Sequence, residues 1–172
     1  KDKKYLARAL FFLLYQFLNH RYDNVEVVFI SHTTVSQEVT EPEFFTRVES
    51  GGTMMSSALD LELDIIQKRF HPSSWNIYTF YCGDGENWSE DDDAVLELLP
   101  EIESMSQLVC YTEIVSQSSN QRRQYLFGSD DSSEELWDRI EPLVGDVFRR
   151  ARISNKEEIW PLFKGLFGGD FK

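Results

Sequence analysis

The chain has 172 residues, with 30 acidic against 17 basic side chains and a formal net charge of −13. A surface of that charge repels phosphate backbones and anionic headgroups, so nucleic acid and membrane surfaces are disfavoured as partners. Because 41% of the residues are hydrophobic, one core can be buried without disulfides or metals, and a single domain over residues 1–172 is predicted. Cys82 and Cys110 each lie in an apolar segment and are predicted to be reduced core residues.

The first predicted element is a helix over the apolar run 5–18. Arg8 and Gln16 interrupt this run, which falls short of the roughly 20 residues that a bilayer span needs. It also lacks the small-residue cleavage site of a signal peptide. We therefore expect a helix that is buried on most of its circumference.

Four short segments rich in β-branched and aromatic residues are predicted as strands. They are residues 25–30, 75–82, 108–115 and 147–153. Helices are predicted between them, and this alternation favours an α/β fold with a mainly parallel sheet covered on both faces.

Capping patterns mark the starts of several helices. Thr40 and Glu43 form a capping-box pattern, which predicts a helix over 40–50 that Gly51 and Gly52 end. Another helix is predicted after Thr53, because apolar residues recur there at helical spacing.

Acidic residues open the remaining helices. The run 89–93 is interpreted as the cap of the helix through Leu99 rather than as a metal cluster. Patterns at 132–135 and 154–157 predict the last two helices, the second with Trp160 on its buried face.

Polar residues follow two predicted strands, where ligands of open α/β sheets bind. His32 follows the first strand, Asp84 and Glu86 follow the second, and the turn at Gly52 and Thr53 can reach the same edge. Carboxylate and hydroxyl oxygens suit Mg²⁺, Mn²⁺ or Ca²⁺ better than zinc. Each signal alone is more typical of an ordinary turn or a packed histidine than of a ligand site. The chain has no P-loop, dinucleotide-binding, HExxH or nucleophile-elbow motif, so no enzyme activity is predicted.

Taken together, these segments resemble the YhbH/YeaH family of bacterial proteins, whose core is a von Willebrand factor A-like domain. The matching stretches are residues 9–18, 25–32, 43–45, 51–59, 75–78, 84–88 and 159–167.

The resemblance implies a Rossmann-like sheet with a metal-ion-dependent adhesion site at one edge. Thr53 matches the threonine ligand and Asp84 the aspartate ligand, while Glu86 stands where this family more often has aspartate. The Asp-x-Ser-x-Ser loop of such sites is missing from the sequence. The resemblance thus implies an N-terminally incomplete domain that lacks its first central strand. Mg²⁺ or Mn²⁺ is expected in the full-length protein and no cofactor in this chain.

The function implied by the resemblance is a cytoplasmic, non-enzymatic protein-interaction module. Its partner-binding rim comprises His32, Gly52, Thr53, Asp84 and Glu86. The resemblance further implies an adaptor for a PrkA-type serine kinase in sporulation or stress response. The alternative is a metal-dependent hydrolase or phosphoryl-transfer enzyme that uses Asp84 and Glu86, with His32 as general base. A structural subunit with a degenerate site is the second alternative.

Overall fold

A computed structural model describes residues 2–46, 53–115 and 135–168. The predicted helix stop at Gly51 and Gly52, the polar segment 116–124 and the cap at 132–134 lie outside these ranges. The helices are α1 (Asp2–Arg21), α2 (Glu41–Thr46), α3 (Met55–Arg69), α4 (Asp92–Met105), α5 (Leu136–Arg139) and α6 (Ile159–Phe167), with 3₁₀ turns at Glu141–Leu143 and Lys156–Glu158. The strands are β1 (Phe29–His32), β2 (Ser36–Val39), β3 (Tyr78–Gly83), β4 (Leu108–Ile114) and β5 (Phe148–Ile153).

The main sheet is parallel and has the order β3-β4-β5. Tyr78 pairs with Leu108 on one side of β4, and Val109 pairs with Phe148 on the other. All seven residues of β4 are buried, as expected for the central strand of a parallel sheet. The predicted mixed α/β fold with a parallel sheet is confirmed for this part of the chain.

The first strand departs from the prediction. In the described residues β1 is not part of the parallel sheet but forms an antiparallel pair with β2, in which Phe29 faces Val39. The strand predicted at 25–30 therefore begins only at Phe29, because its partner ends at Val39 and α2 starts two residues later. Strand β2 was not predicted, since Val39 is its only buried residue and its sequence shows no apolar alternation.

Helices cover both faces of the parallel sheet, as predicted. On one face α3 and α4 pack on the sheet through a cluster that includes Leu59, Leu99 and Val109. On the other face α1 and α6 pack through a cluster that includes Leu10, Ile114 and Phe163. Each cluster takes alternate residues of β4, which is the two-sided burial that a strand pleat produces.

Two surfaces that the sequence predicts to be buried are exposed in the structure. Leu6, Leu10 and Leu14 of α1 are buried, but three other apolar side chains of α1 are not, so the prediction that most of its circumference is buried is wrong for one face. Trp160 of α6 is also 51% exposed rather than buried. Within the described ranges, no helix combines the length and apolarity needed to cross a membrane.

Candidate functional site

The loop edge, defined here as residues 32–35, 53–54 and 84–88, brings three loops together at the carboxyl ends of β1 and β3. The backbone N–H of Met54 donates to the carbonyl of Thr33 at 2.9 Å, and the N–H of Trp88 donates to the carbonyl of Thr53 at 3.3 Å. These bonds join segments far apart in sequence. They place the loop before α3 between the loops that follow β1 and β3.

Asp84 and Glu86 are solvent-exposed carboxylates of the loop edge. The Asp84 side chain is 41% exposed and lies 3.5 Å from the ammonium group of Lys3, while Glu86 is exposed. The N–H of Glu86 donates to Oδ1 of Asp84 at 3.4 Å, which is the side-chain turn that aspartate commonly forms. Surface contacts of this kind hold the carboxylates only weakly, so both can accept other partners.

His32 lies against aromatic side chains of the sheet. Its ring centroid is 5.3 Å from that of Tyr81, which stacks in turn on Tyr111 at 5.3 Å with only 4° between the ring planes. Burial raises the pKa of both tyrosine hydroxyls, with nearby negative groups contributing. Both hydroxyls therefore stay protonated at neutral pH. His32 thus packs beside two stacked, uncharged tyrosine rings.

The turn at Gly85 lies against the buried carboxylate of Glu113. Gly85 has φ of +79°, which favours glycine, and a Cβ there would lie 3.3 Å from that carboxylate. The hydroxyl of Tyr111 donates to Glu113 at 3.0 Å, and Nε of Arg152 donates to it at 2.7 Å. Glu113 is only 4% exposed, so these two donors stabilise its charge in the interior.

A second acidic group fixes the start of α3. Oδ2 of Asp91 accepts the N–H of Ser56 at 3.0 Å, and Oδ1 accepts the Ser56 hydroxyl. Asn87 accepts the N–H of Met55 at 3.0 Å and donates to Asp92 at 2.7 Å. The run 89–93 therefore has a structural role, but the side chain of Asp91 caps the neighbouring helix α3 and makes no capping hydrogen bond to α4, the helix it was predicted to cap.

The structure brings together four of the five residues predicted for the rim. His32, Thr53, Asp84 and Glu86 lie on the loop edge, and Gly52 lies outside the described residues. In the described part of the chain, no group of three or more His, Cys, Asp or Glu side chains is arranged to hold a metal ion. Thr53 and Asp84 offer two of the six or so oxygens that a hard cation takes, and Lys3 already lies on Asp84. These residues alone do not fit a complete cation site.

Sequence reasoning missed Asn87 and Glu113, which shape the loop edge, and assigned the capping role of Asp91 to the wrong helix. In the folded chain α3 begins after Met54, whose side chain makes no capping hydrogen bond, and Asp91 supplies the acceptor. This could not be read from the sequence, where Thr53 is the residue of capping type beside the predicted helix start.

Known proteins match this chain over nearly its whole length. A family model described as "Protein of unknown function (DUF444)" matches residues 1–170. A UPF0229 protein of Ruminiclostridium cellulolyticum is 44% identical over 166 residues, which cover 96% of this chain and 39% of the relative. UPF0229 proteins of Clostridium perfringens and Thiobacillus denitrificans are 38% and 39% identical, over 99% and 97% of this chain and 40% and 37% of those relatives. The chain thus spans about two fifths of the length of these relatives.

Proposed function

Because the chain belongs to the protein family of unknown function DUF444, we propose its function from its own loop edge: a non-enzymatic, cytoplasmic module that binds a protein partner there. The observation that carries the proposal is a set of exposed side chains on two of the three loops that backbone bonds hold together. Asp84 and Glu86 supply negative charge, and Trp88 and Val35 are 49% and 73% exposed. Exposed tryptophan beside charged groups is typical of protein-binding surfaces.

The rigidity of the surrounding structure supports this proposal. Asp91 fixes the start of α3, and Glu113 lies directly beneath the turn at Gly85. A surface whose loops are held in place loses little conformational freedom on binding, so more of its contact energy appears as affinity.

The finer parts of the proposal rest on the family resemblance. They are a von Willebrand factor A-like domain and an adaptor role for a PrkA-type serine kinase in sporulation or stress response. Since Thr53 and Asp84 do not form a complete cation site, we propose direct binding through the carboxylates and Trp88. Mg²⁺ or Mn²⁺ is then an additional ligand whose effect the same experiment measures.

The arrangement of His32 supports a binding module over a hydrolase. A general base must come within hydrogen-bond reach of the group that it deprotonates. His32 packs on Tyr81 with its Nδ1 atom buried, which leaves only Nε2 to act as a base.

Binding of the purified PrkA-type kinase from the same genome tests the proposal. Asp84→Ala and Trp88→Ala are each expected to weaken capture roughly tenfold or more, as removal of an interface anchor does. Asp60→Ala, which removes one exposed carboxylate from α3, is the matched control and should leave capture unchanged.

Each assay is run with and without Mg²⁺ and Mn²⁺ to measure the contribution of the cation. Capture of the kinase that is identical for Asp84→Ala, Trp88→Ala and the parent protein would overturn binding at the loop edge. Failure of the parent protein itself to bind the kinase would overturn only the kinase assignment. Hydrolysis of a phosphoester that is lost in His32→Ala would replace the proposal with the enzyme alternative.

A further inference from the structure

Helix α1 carries a second apolar face that the described fold leaves largely exposed, apart from an edge contact of Phe12 with Phe45 of α2. Tyr5, Ala9, Phe12 and Leu13 follow one another at spacings of four, three and one residues along one side of the helix. Tyr5, Phe12 and Leu13 are 64%, 51% and 44% exposed. A helix whose apolar surface extends beyond its packed face is normally covered there as well.

This face forms one wall of a groove with the start of α6. The groove has a volume of about 440 Å³, and Ile159, Lys156 and Glu157 line its other side. Trp160, the residue after Ile159, is 51% exposed. Four of the large exposed hydrophobic residues of the described chain thus belong to α1 or the first turn of α6. Clustered exposure of this kind marks an interaction surface, whereas single exposed hydrophobic residues need no explanation.

The shape of the groove suits a helix. Ala9 is small, and its neighbours one turn away are the bulky Tyr5, Phe12 and Leu13, which leave a depression over Ala9. A depression over a small residue of this kind accepts one side chain of a facing helix. Lys156 and Glu157 offer one charge of each sign at the edge, which suits a helix with an apolar face and mixed polar flanks.

The length of the relatives indicates where that helix comes from. The relatives match 96–99% of this chain, yet the match covers only 37–40% of their own length. Most of each relative therefore lies outside the matched domain and is tethered to it. A tethered segment has a high effective concentration, which favours it over a free partner for a groove of this size.

We infer that an amphipathic helix encoded outside these 172 residues, in the complete reading frame of this protein, packs on the groove of Tyr5, Ala9, Phe12, Leu13 and Ile159. The inference concerns a different surface from the loop edge and does not depend on the proposed partner.

Maleimide labelling of single cysteines tests this inference in the complete protein and in the 172-residue chain. Leu13→Cys places a thiol in the groove, and Gln67→Cys on exposed α3 is the matched control. The parent protein gives the blank, because burial raises the pKa of Cys82 to about 12 and of Cys110 to about 11, which keeps both thiols unreactive.

If the helix occupies the groove, labelling of Leu13→Cys should be about tenfold or more slower in the complete protein than in the 172-residue chain. Such slowing corresponds to a groove that is occupied at least about nine-tenths of the time. Labelling of Gln67→Cys should be equal in both proteins. Equal labelling of Leu13→Cys in both proteins would overturn the inference. Protection in the 172-residue chain that grows with its concentration would also overturn it, because a second copy would then be the occupant. Circular dichroism of each variant checks that it is folded.

Discussion

Two groups of carboxylates on neighbouring parts of the chain have opposite environments. Asp91 and Glu113 are 4% exposed, and each accepts two hydrogen bonds. Asp91 accepts both from Ser56, and Glu113 accepts one from Tyr111 and one from Arg152. Asp84 is 41% exposed, Glu86 is exposed, and the contacts of Asp84 are 3.4 Å or longer. The comparison teaches that acidic residues alone do not identify a binding site in this chain. Buried carboxylates that accept hydrogen bonds from the chain hold the fold, and exposed carboxylates with long contacts are available to a partner.

The largest stability effect is expected at Asp91. Asp91→Ala leaves the N–H and hydroxyl of Ser56 without their acceptor, so the free energy of unfolding should fall by about 2–4 kcal/mol. Urea unfolding measures this. Asp93→Ala is the control, since the 83%-exposed Asp93 forms only a surface ion pair with Arg139 and should cost less than about 1 kcal/mol. Equal losses of unfolding free energy in Asp91→Ala and Asp93→Ala would show that buried and exposed carboxylates contribute equally to stability.

A third packed carboxyl, Glu62, should make stability depend on pH. Burial between α3 and β3 raises its pKa from 4.5 to about 7, although the Thr79 hydroxyl donates to it. The folded protein then holds this proton to higher pH than the unfolded chain. Its stabilising contribution is therefore full below about pH 4.5 and is lost as the pH rises through 7.

Comparison of the parent protein with Glu62→Gln checks this dependence. Between about pH 5 and about pH 8, the parent should lose about 2 kcal/mol more stability than Glu62→Gln. Asp64→Asn on the exposed side of α3 is the control and should keep the parent's pH profile. A profile of Glu62→Gln that matches the parent would show that Glu62 titrates normally.

A smaller effect is expected at the turn between the two carboxylate groups. Gly85→Ala forces a Cβ into a backbone with φ of +79° and towards Glu113, so stability should fall by about 1–2 kcal/mol. Thermal unfolding measures the change. Gly165→Ala in α6 is the control, because a Cβ there meets nothing within 4 Å, and it should cause no loss. If Gly85→Ala left stability unchanged, neither the positive φ of Gly85 nor the approach of a Cβ to Glu113 would carry a cost.

The smallest stability effect is expected at Asp84, where binding should change instead. Asp84→Ala removes an exposed side chain with a 3.5 Å ion pair, so stability should stay within about 0.5 kcal/mol of the parent. Denaturation measured beside the kinase-binding assay separates the two effects. A loss of stability comparable to that of Asp91→Ala would place Asp84 among the structural carboxylates.

Elements with a continuous apolar signal could be predicted from the sequence, and elements defined by a partner could not. The strand predicted at 108–115 is observed at Leu108–Ile114, because every residue in it is buried. One half of the capping box predicted at Thr40 and Glu43 is observed, since the Thr40 N–H donates to the Glu43 carboxylate at 2.8 Å. The start of β1 depends on where β2 ends, and β2 has no apolar pattern of its own.

The residues of the candidate site also divide into those that could be predicted from the sequence and those that could not. Asp84 and Thr53 stand beside recognisable turns, so their place at the carboxyl edge could be predicted. Glu113 lies inside an apolar strand, and only its bonds to Tyr111 and Arg152 in the folded chain explain a charge there. Asp91 meets Ser56 across 35 positions of sequence, a distance over which local patterns carry no information.

The order of the parallel sheet has a consequence for synthesis on the ribosome. Strands β3, β4 and β5 neighbour one another in the order in which they leave the ribosome. Each new strand therefore adds to the edge formed just before it, and no earlier strand has to be displaced. We expect the sheet to grow from β3 towards β5 as the chain emerges. Strand β5 then pairs with the free edge of β4, and α6 covers the sheet face last.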